Sequence, residues 1–175
     1  MGKDHARYDQ LIARCKALPP TPTAVAHPCD ESSLRGAVDA AKAGLIAPIL
    51  VGPAARIKEV ATKAKLDISG YTIVDASFSE DSAAKAVAEV RAGRAQALMK
   101  GSLHTDELMG AVVRRETGLR TARRISHCFV MDVPGHPEPI IITDAAVNIF
   151  PTLKDKVDIV QNAIDLAHDL GVAEV

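Results

Sequence analysis

Short apolar runs alternate with amphipathic stretches along most of the chain, and this alternation restricts the possible folds more than any other feature. Apolar residues at helical spacing predict helices over residues 8–17, 30–42, 54–64, 79–92 and 153–170, with a further helix beginning near residue 106. The short apolar runs between them predict strands over residues 23–26, 45–51, 71–74, 95–99, 125–130 and 140–143. Parallel strands need helical crossovers of this kind, so the sequence predicts an α/β protein with three layers (α/β/α) and a mostly parallel sheet.

Turn residues mark the ends of several predicted elements. Asp30–Ser33 supplies N-cap candidates for the second helix, and Gly44 is expected as the C′ residue after it. Pro134–Pro139 has the richest turn composition in the chain and predicts either a hairpin-like excursion or a domain boundary. We expect a first α/β domain over residues 1–134 and an incomplete second domain over 135–175. Gly171–Val175 looks like a helix stop that leads toward another strand, so the architecture is expected to be truncated there.

The composition is that of a globular protein and argues against several functions. Of the 175 residues, 47% are hydrophobic and 25% are charged, which allows a core that needs neither a disulfide nor a metal. A net charge of −1 and an aromatic content of 3% argue against nucleic-acid binding. Cys15, Cys29 and Cys128 form no closely spaced pair, and no apolar window reaches the length of a membrane span. We therefore expect a cytoplasmic protein with reduced thiols.

The motifs of several common enzyme classes are missing from this chain. There is no GxGxxG, no GxxxxGK[ST], no GxSxG and no HExxH, which disfavours Rossmann dehydrogenases, P-loop NTPases, α/β hydrolases and zinc peptidases. His27, Cys29, His104, His127 and His136 match no standard zinc spacing, so no metal site is predicted.

The segment Lys100–Thr105 (Lys-Gly-Ser-Leu-His-Thr) is the strongest local candidate for a binding site. It follows a predicted strand and precedes a predicted helix, the position where ligands usually bind in parallel α/β proteins. Gly101 is expected to allow a positive φ angle, and the amides after it, together with the helix dipole, would form an anion cradle. The alternative is that Thr105 is only the helix N-cap, Ser102 a turn residue and His104 a surface group.

Two pairs of arginines follow this segment and differ in their surroundings. Arg114 and Arg115 lie near the end of a predicted helix, where cations suit the negative pole, and we interpret them as a solvated face. Arg123 and Arg124 come just before a predicted strand, with Ser126 beside them. A guanidinium can bind phosphate through two hydrogen bonds, so this second pair is a candidate phosphate site. The alternative for these two residues is an ion pair with carboxylates.

Polar residues also follow the last predicted strand. Asp144 and Asn148 come after Ile140–Thr143, at the end where polar groups meet ligands in α/β folds. An Asx-type turn is the alternative for both. His127 stands between apolar neighbours in a predicted strand, and we interpret it as a core or inter-strand histidine.

Six further motifs follow one another in order over nearly the whole chain: His27–Leu34, Pro48–Pro53, Met99–Thr105, Ser126–Pro134, Ile142–Ile149 and Asp155–Ala163. With these motifs the chain resembles the phosphate acetyltransferase/phosphate butyryltransferase family. The form of the Lys100–Thr105 segment resembles the butyryl-type branch, and the acetyl-type domain fused to hydratases, more than the classical acetyl enzymes.

The resemblance implies an acyltransferase that moves an acetyl or butyryl group between coenzyme A and inorganic phosphate. It implies direct attack of phosphate on the thioester, no bound cofactor and a homo-oligomer at full length. The composition and the short apolar runs predict neither a nucleic-acid partner nor a membrane partner. It also implies two α/β/α domains resembling the isocitrate/isopropylmalate dehydrogenase fold, with the active site in the cleft between them. The residues then expected in the site are Ser102, His104 and Thr105 for catalysis, and Lys100, Gly101, Arg123, Arg124, Ser126, Asp144 and Asn148 for phosphate or substrate binding.

This chain departs from the family pattern in two respects. Met109 stands where classical acetyl enzymes have an arginine, so a phosphate-binding arginine is expected elsewhere, at Arg123 or Arg124. The family's serine, arginine and aspartate of the second half would lie beyond Val175, and with them the expected general base or leaving-group stabiliser and much of the coenzyme A site. The alternative for the 175-residue chain is therefore a non-catalytic fragment that binds an anion or a partner.

Overall fold

The computed structural model describes residues 6–133, 135–136 and 139–175. Within these residues, no helix is both long enough and apolar enough to cross a membrane. The helices of the described part are α1 (Ala6–Lys16), α2 (Glu31–Lys42), α3 (Ala54–Ala64), α4 (Ser79–Arg91), α5 (Thr105–Val112) and α6 (Leu153–Asp169). Its strands are β1 (Thr21–Ala26), β2 (Ile46–Gly52), β3 (Thr72–Asp75), β4 (Ala97–Lys100), β5 (Cys128–Met131) and β6 (Ile140–Thr143).

The chain divides into two compact units, which are described separately. The larger unit is Cys15–Arg120 and contains β1–β4 with α2–α5. The smaller unit combines residues 6–14 with the described part of 121–175 and contains β5, β6 and α6. This division lies between residues 120 and 121, whereas the sequence indicated a boundary between 134 and 135. Residues 134, 137 and 138 of the predicted boundary segment lie outside the described residues, and an incomplete second domain stays a prediction.

The larger unit is built on a four-stranded sheet with the strand order β3-β2-β1-β4. All neighbouring strands in it are parallel, and Ala26 at the end of β1 lies beside Val51 of β2 and Lys100 of β4. Ala24, Val25 and Ala26 are fully buried, as expected for a central strand that is covered on both faces. The predicted parallel sheet is therefore confirmed.

Side chains of β1 alternate between two separate cores, one on each face of the sheet. Ala24 and Ala26 pack into a core with buried residues of α4 and α5. Val25, which lies between them in sequence, packs into the other core with Leu34 of α2 and Ile57 of α3. Burial of one side chain of the size of Leu34 stabilises the fold by roughly 2 kcal/mol. Helices thus cover both faces of the sheet, which confirms the predicted three layers.

The helix ends of the larger unit follow the turn signals of the sequence. Asp30 caps α2, because its carboxylate accepts a hydrogen bond of 2.8 Å from the backbone N–H of Ser33. Gly44 follows the C-cap of α2 with a φ angle of 76°, in the left-handed region that favours glycine at C′. These predicted ends are confirmed, and α3 has the predicted bounds.

The smaller unit contains an antiparallel pair of strands, β5 and β6, and this pairing agrees with the hairpin alternative for the segment between them. The strand predicted over residues 125–130 is wrong at its start, because β5 begins at Cys128. Before Cys128, the backbone groups form hydrogen bonds with side chains and not with a neighbouring strand. Asn148 Nδ2 donates to the carbonyl of Ile125 (3.0 Å), and the N–H of Arg124 donates to Asp158 (2.9 Å).

His127 precedes β5 and does not lie within a strand, in contrast to the prediction. Its ring packs edge-on against that of Phe129, with a distance of 4.3 Å between the ring centroids. Its Nδ1 atom is buried and has no hydrogen-bond partner among the described residues. His127 therefore contributes mainly to packing in the smaller unit.

Candidate active site

The candidate site of the larger unit lies at the carboxyl edge of the sheet, where β1 and β4 end side by side. The chain passes from β1 to β2 and β3 on one side of β1, and β4 then pairs on the other side. The helix after β1 packs on one face of the sheet and the helix after β4 packs on the opposite face. A crevice for ligands forms at such a switch point. The residues that follow Ala26 and Lys100 are therefore the first candidates.

Gly101 allows the backbone of β4 to approach that of β1 very closely. Its N–H donates a hydrogen bond of 2.8 Å to the carbonyl of Ala26. A Cβ atom at this position would lie 2.4 Å from that oxygen and 2.5 Å from the carbonyl oxygen of His27. Gly101 is not among the residues with positive φ angles, so the reason predicted for this glycine is wrong. Lack of space for a side chain, not an unusual φ angle, requires glycine here.

Ser102 ties the end of β4 to the end of β1. Its backbone N–H and its hydroxyl both donate to the carbonyl of His27, at 2.9 and 2.8 Å. Its Oγ also accepts a bond of 3.3 Å from the N–H of Cys29. The only hydroxyl hydrogen of Ser102 is thus used within the protein, which favours a structural role in the turn over a nucleophilic one.

The helix α5 begins at Thr105, and its N-cap is His104, not Thr105 as in the alternative interpretation. Glu107 accepts a hydrogen bond of 2.7 Å from the N–H of His104 and a second bond from the hydroxyl of Ser79. Both bonds lower the pKa of Glu107 below its usual range, and the bond from Ser79 has the larger effect. Both His104 and Thr105 are exposed at the positive end of the helix dipole.

Lys100 is the exposed last residue of β4, at the mouth of the same edge. Its ammonium group lies within 3.3 Å of the carbonyl oxygen of Gly101. The pKa of Asp30 is held below its usual range mainly by hydrogen bonds from the side chain and backbone of Ser33. The positive charge of Lys100 has a smaller effect in the same direction. A cation at this position suits the recognition of an anion.

His27 belongs to this edge, although the sequence interpretation did not select it as a site residue. It follows β1 directly with a φ angle of 55°, and its Nδ1 lies 2.9 Å from Oγ of Ser82 on α4. Burial lowers the pKa of His27, while the carboxylate of Glu107 acts in the opposite direction. The signal that could have identified it is its position directly after the apolar run Ala24–Ala26, at the start of the motif His27–Leu34.

The two candidate phosphate arginines lie in the smaller unit and are engaged in ion pairs. Arg123 donates to the carboxylate of Asp165, and Arg124 Nε lies 2.9 Å from Oδ1 of Asp155. Arg124 also donates from Nη1 to the side-chain oxygen of Asn148 at 3.1 Å. The structure thus shows the ion-pair alternative for both arginines, and phosphate binding by them stays a prediction.

Asp144 organises the loop after β6. Its carboxylate accepts hydrogen bonds of 2.9 Å from the N–H groups of Ala146 and Val147, and one of 2.6 Å from the side-chain amide of Asn148. Partial burial raises the pKa of Asp144, but these and other hydrogen bonds outweigh burial and hold it at about 2. Ser126 accepts a bond of 2.8 Å from Asn162 of α6. The turn alternative for Asp144 and Asn148 therefore describes what the structure shows.

The structure thus places the predicted site residues in two groups. Lys100, Gly101, Ser102, His104 and Thr105 form one continuous edge in the larger unit, and His27 joins them. The remaining candidates share one hydrogen-bonded network in the smaller unit, which Asn162 links to Arg123 and Ser126: Arg123, Arg124, Ser126, Asp144 and Asn148. Among the described residues, no three His, Cys, Asp or Glu side chains come together as a metal site.

The fold and this edge define a class of protein, the parallel α/β proteins with a candidate ligand site at the switch point of the sheet. The chain belongs to one particular family of that class, described as phosphate acetyl/butaryl transferase, whose sequence model matches residues 76–175. The match includes all of β4, the turn after it and α5.

Curated relatives agree with this assignment. A phosphate acetyltransferase of Rhizobium meliloti is 60% identical over 169 residues, which are 97% of this chain and 54% of that protein. A phosphate butyryltransferase of Clostridium beijerinckii is 38% identical over 165 residues, 94% of this chain and 55% of that protein. The chain thus spans about half the length of the curated relatives it matches.

Solved structures show the same fold. A phosphotransacetylase from Streptococcus pyogenes aligns with 97% of this chain and 60% of its own, with a TM-score of 0.79 and 18% identity. A branched-chain phosphotransacylase from Enterococcus faecalis V583 aligns with 86% of this chain and 52% of its own, with a TM-score of 0.67 and 25% identity.

Proposed function

We propose that the protein containing this chain is a phosphate acyltransferase, which moves an acetyl or butyryl group between coenzyme A and inorganic phosphate to give an acyl phosphate. The observation that carries the proposal is the family match over residues 76–175, because it includes the candidate edge of the larger unit. Relatives of both names, acetyl and butyryl, share more than a third of their aligned residues with this chain. Acyl-CoA and phosphate are substrates in this proposal, and no bound cofactor is needed.

In this proposal the segment Lys100–Thr105 forms one wall of the active site. The ammonium group of Lys100 attracts phosphate, and His104 and Thr105 contact the substrates at the N-terminus of α5. Gly101 and Ser102 shape the turn through their bonds to the end of β1.

The reaction needs both a nucleophile and stabilisation of the charge that develops on the thioester. A phosphate oxygen attacks the carbonyl carbon, a C–O bond forms, and the C–S bond breaks to release coenzyme A. Negative charge grows on the carbonyl oxygen during the attack, and one preorganised donor at that oxygen typically lowers the barrier by about 3 kcal/mol. The segment at the start of α5 supplies donors of this kind in the proposal.

The direct test uses the protein expressed at the full length of its gene. We expect it to release free thiol from acetyl-CoA or butyryl-CoA only when phosphate is present, as measured with a thiol reagent. The ratio of the two rates would establish the preferred acyl chain. Release without phosphate, or no release from either thioester, would exclude the proposed function.

The chain spans about half the length of its curated relatives, and this supports a second proposal. In it, residues 1–175 alone bind an anion or a partner without catalysis. Titration calorimetry of the 175-residue chain with phosphate tests it. Heat of binding without thiol release favours this second proposal, and turnover by the 175-residue chain eliminates it. The cytoplasmic location, the homo-oligomeric state and the dehydrogenase-like two-domain arrangement stay predictions.

Replacement of Lys100 by glutamine tests its part in phosphate binding. We expect the KM for phosphate to rise about tenfold or more, because a hydrogen bond to a charged group contributes roughly 1.5–3 kcal/mol. The KM for acyl-CoA should change little. Lys58→Gln is the matched control, since Lys58 is an exposed lysine of α3. Equal KM values for phosphate in both variants would contradict the role of Lys100.

A further inference from the structure

We infer that His27 is a catalytic residue of this site: its imidazole, anchored through Nδ1 to Ser82, uses Nε2 to accept the proton of the attacking phosphate. This inference rests on the proposed function and adds a residue of the larger unit to it. Three observations support it: the hydrogen bonds of the ring, the position of its backbone, and the charges around it.

The hydrogen bonds of Ser82 determine which ring nitrogen carries the proton. Oγ of Ser82 lies 2.7 Å from the carbonyl oxygen of Phe78 and 2.9 Å from Nδ1 of His27. The single hydroxyl hydrogen must lie toward the carbonyl, because two oxygens at 2.7 Å without a hydrogen between them would repel each other. Oγ therefore accepts from Nδ1–H, and the neutral ring keeps its lone pair on Nε2. Within the described residues, Nε2 has no hydrogen-bond partner.

The backbone of His27 is fixed at the switch point of the sheet. Its N–H donates to the carbonyl of Val51 at 2.7 Å, which extends the pairing of β1 with β2 by one residue. Its carbonyl accepts both bonds from Ser102 and one of 2.8 Å from the N–H of Cys29. The imidazole is thus attached to the same residue whose carbonyl holds Ser102 in the turn Gly101–Ser102. The orientation of the imidazole is therefore fixed at both its backbone and its ring, as a positioned general base requires.

The surroundings of the ring keep it neutral. Burial is the main cause that lowers the pKa of His27, and the carboxylate of Glu107 on α5 partly offsets it. Ser82, the ring's partner on α4, carries no charge. Burial also raises the pKa of the neighbouring Cys29 thiol to about 11, so that thiol is neutral too. At pH 7 the imidazole is therefore a base and not an imidazolium.

The reaction moves one proton, and a neutral imidazole can carry it. Monohydrogen phosphate attacks the thioester carbonyl, and its P–OH proton passes to Nε2 as the C–O bond forms. The C–S bond breaks, and the electron pair leaves with the sulfur of coenzyme A. The imidazolium then returns the proton to that thiolate, so the products are acyl phosphate, free thiol and neutral His27. General base catalysis of this kind contributes about 10²–10⁴-fold to a rate.

His27→Asn in the full-length enzyme is the sharpest test. Asparagine tolerates the left-handed backbone of this position, where φ is 55°. Its amide can still donate toward Ser82, but it has no atom equivalent to Nε2. We expect kcat to fall about 100-fold or more, with an unchanged KM for acyl-CoA and an unchanged thermal midpoint. His168→Asn is the control, because His168 is an exposed histidine of α6 in the other unit.

The pH profile separates a proton acceptor from a residue that only shapes the site. With rates normalised to the concentration of HPO4²⁻, the wild type should lose activity as pH falls, with a midpoint below the ordinary 6.5. The His27→Asn variant should lack this limb. A variant that keeps wild-type kcat, or that is slow but keeps the same acidic limb, would overturn the inference. If the wild type itself shows no phosphate-dependent thiol release, the proposed function fails instead, and the two failures are distinguishable.

Ser82→Ala tests the anchor independently of the rate. In the wild type, the ¹⁵N shifts of the His27 ring, assigned by their loss in His27→Asn, should show protonated Nδ1 and unprotonated Nε2. In Ser82→Ala both shifts should move toward their average, because the ring proton is no longer held at Nδ1. Ser69→Ala, an exposed turn serine, should leave them unchanged. A wild-type ring that carries its proton on Nε2 would overturn the inference.

Discussion

Replacement of Gly101 by alanine is expected to destabilise the larger unit by about 3 kcal/mol and to abolish phosphate-dependent thiol release by the full-length enzyme. The added Cβ would lie 2.4 Å from the carbonyl oxygen of Ala26 and 2.5 Å from that of His27. Both obstacles are backbone oxygens, one of the fully buried strand residue Ala26 and one of His27 directly after it, so neither can move aside as a flexible side chain would. Relief requires the end of β4 to separate from β1, which breaks the bonds of Ser102 to His27.

The control for this prediction is Gly110→Ala. Gly110 lies in α5, and a Cβ there would meet no atom within 4 Å. Alanine should stabilise that helix by up to about 1 kcal/mol, because glycine is a poor helix former. Urea midpoints of the two variants should therefore move in opposite directions from the wild type. Equal midpoints would show that β1 and β4 do not approach each other as closely as described.

The sequence predicts most of the larger unit because its local signals agree with one another. The apolar run of β1 is flanked by proline, the caps Asp30 and Gly44 mark the ends of α2, and each element can be recognised within about a dozen residues. Alternating strands and helices then leave few arrangements other than a parallel sheet with two covered faces. The same reasoning predicts that the turn Lys100–Thr105 lies at the carboxyl edge of the sheet, where the structure places it.

Contacts between distant residues could not be predicted in this way. His27 bonds to Ser82, which follows it by 55 residues, and neither residue has a local signal for the other. The close approach at Gly101 depends on the register of β4 against β1, which periodicity does not specify. The backbone before β5 is bonded by side chains of Asn148 and of α6, so residues 125–127 do not join the strand that begins at Cys128. In each case a long-range hydrogen bond decides the local structure.

Asp144→Asn is expected to destabilise the smaller unit by about 2 kcal/mol at pH 7, and the loss should disappear in acid. Hydrogen bonds hold the pKa of Asp144 at about 2 in the folded chain, below the ordinary value of 3.8. As pH falls, the carboxylate of Asp144 is therefore protonated in the unfolded chain first. Its contribution to folding stability is complete only above the ordinary pKa of 3.8. This contribution is lost as pH falls through the folded-state pKa of about 2. The difference between wild type and variant should thus shrink from pH 5 to pH 2.

Amide hydrogen exchange of Ala146 and Val147 measures this prediction directly, because both N–H groups donate to the carboxylate of Asp144. Their protection should fall in the variant near neutral pH and converge with the wild type toward pH 2. Asp169→Asn removes an exposed carboxylate at the end of α6 and should leave the two amides unaffected. Since the neutral asparagine cannot titrate, a loss of protection that stays constant down to pH 2 would mean that shape, and not charge, is what Asp144 contributes to this loop.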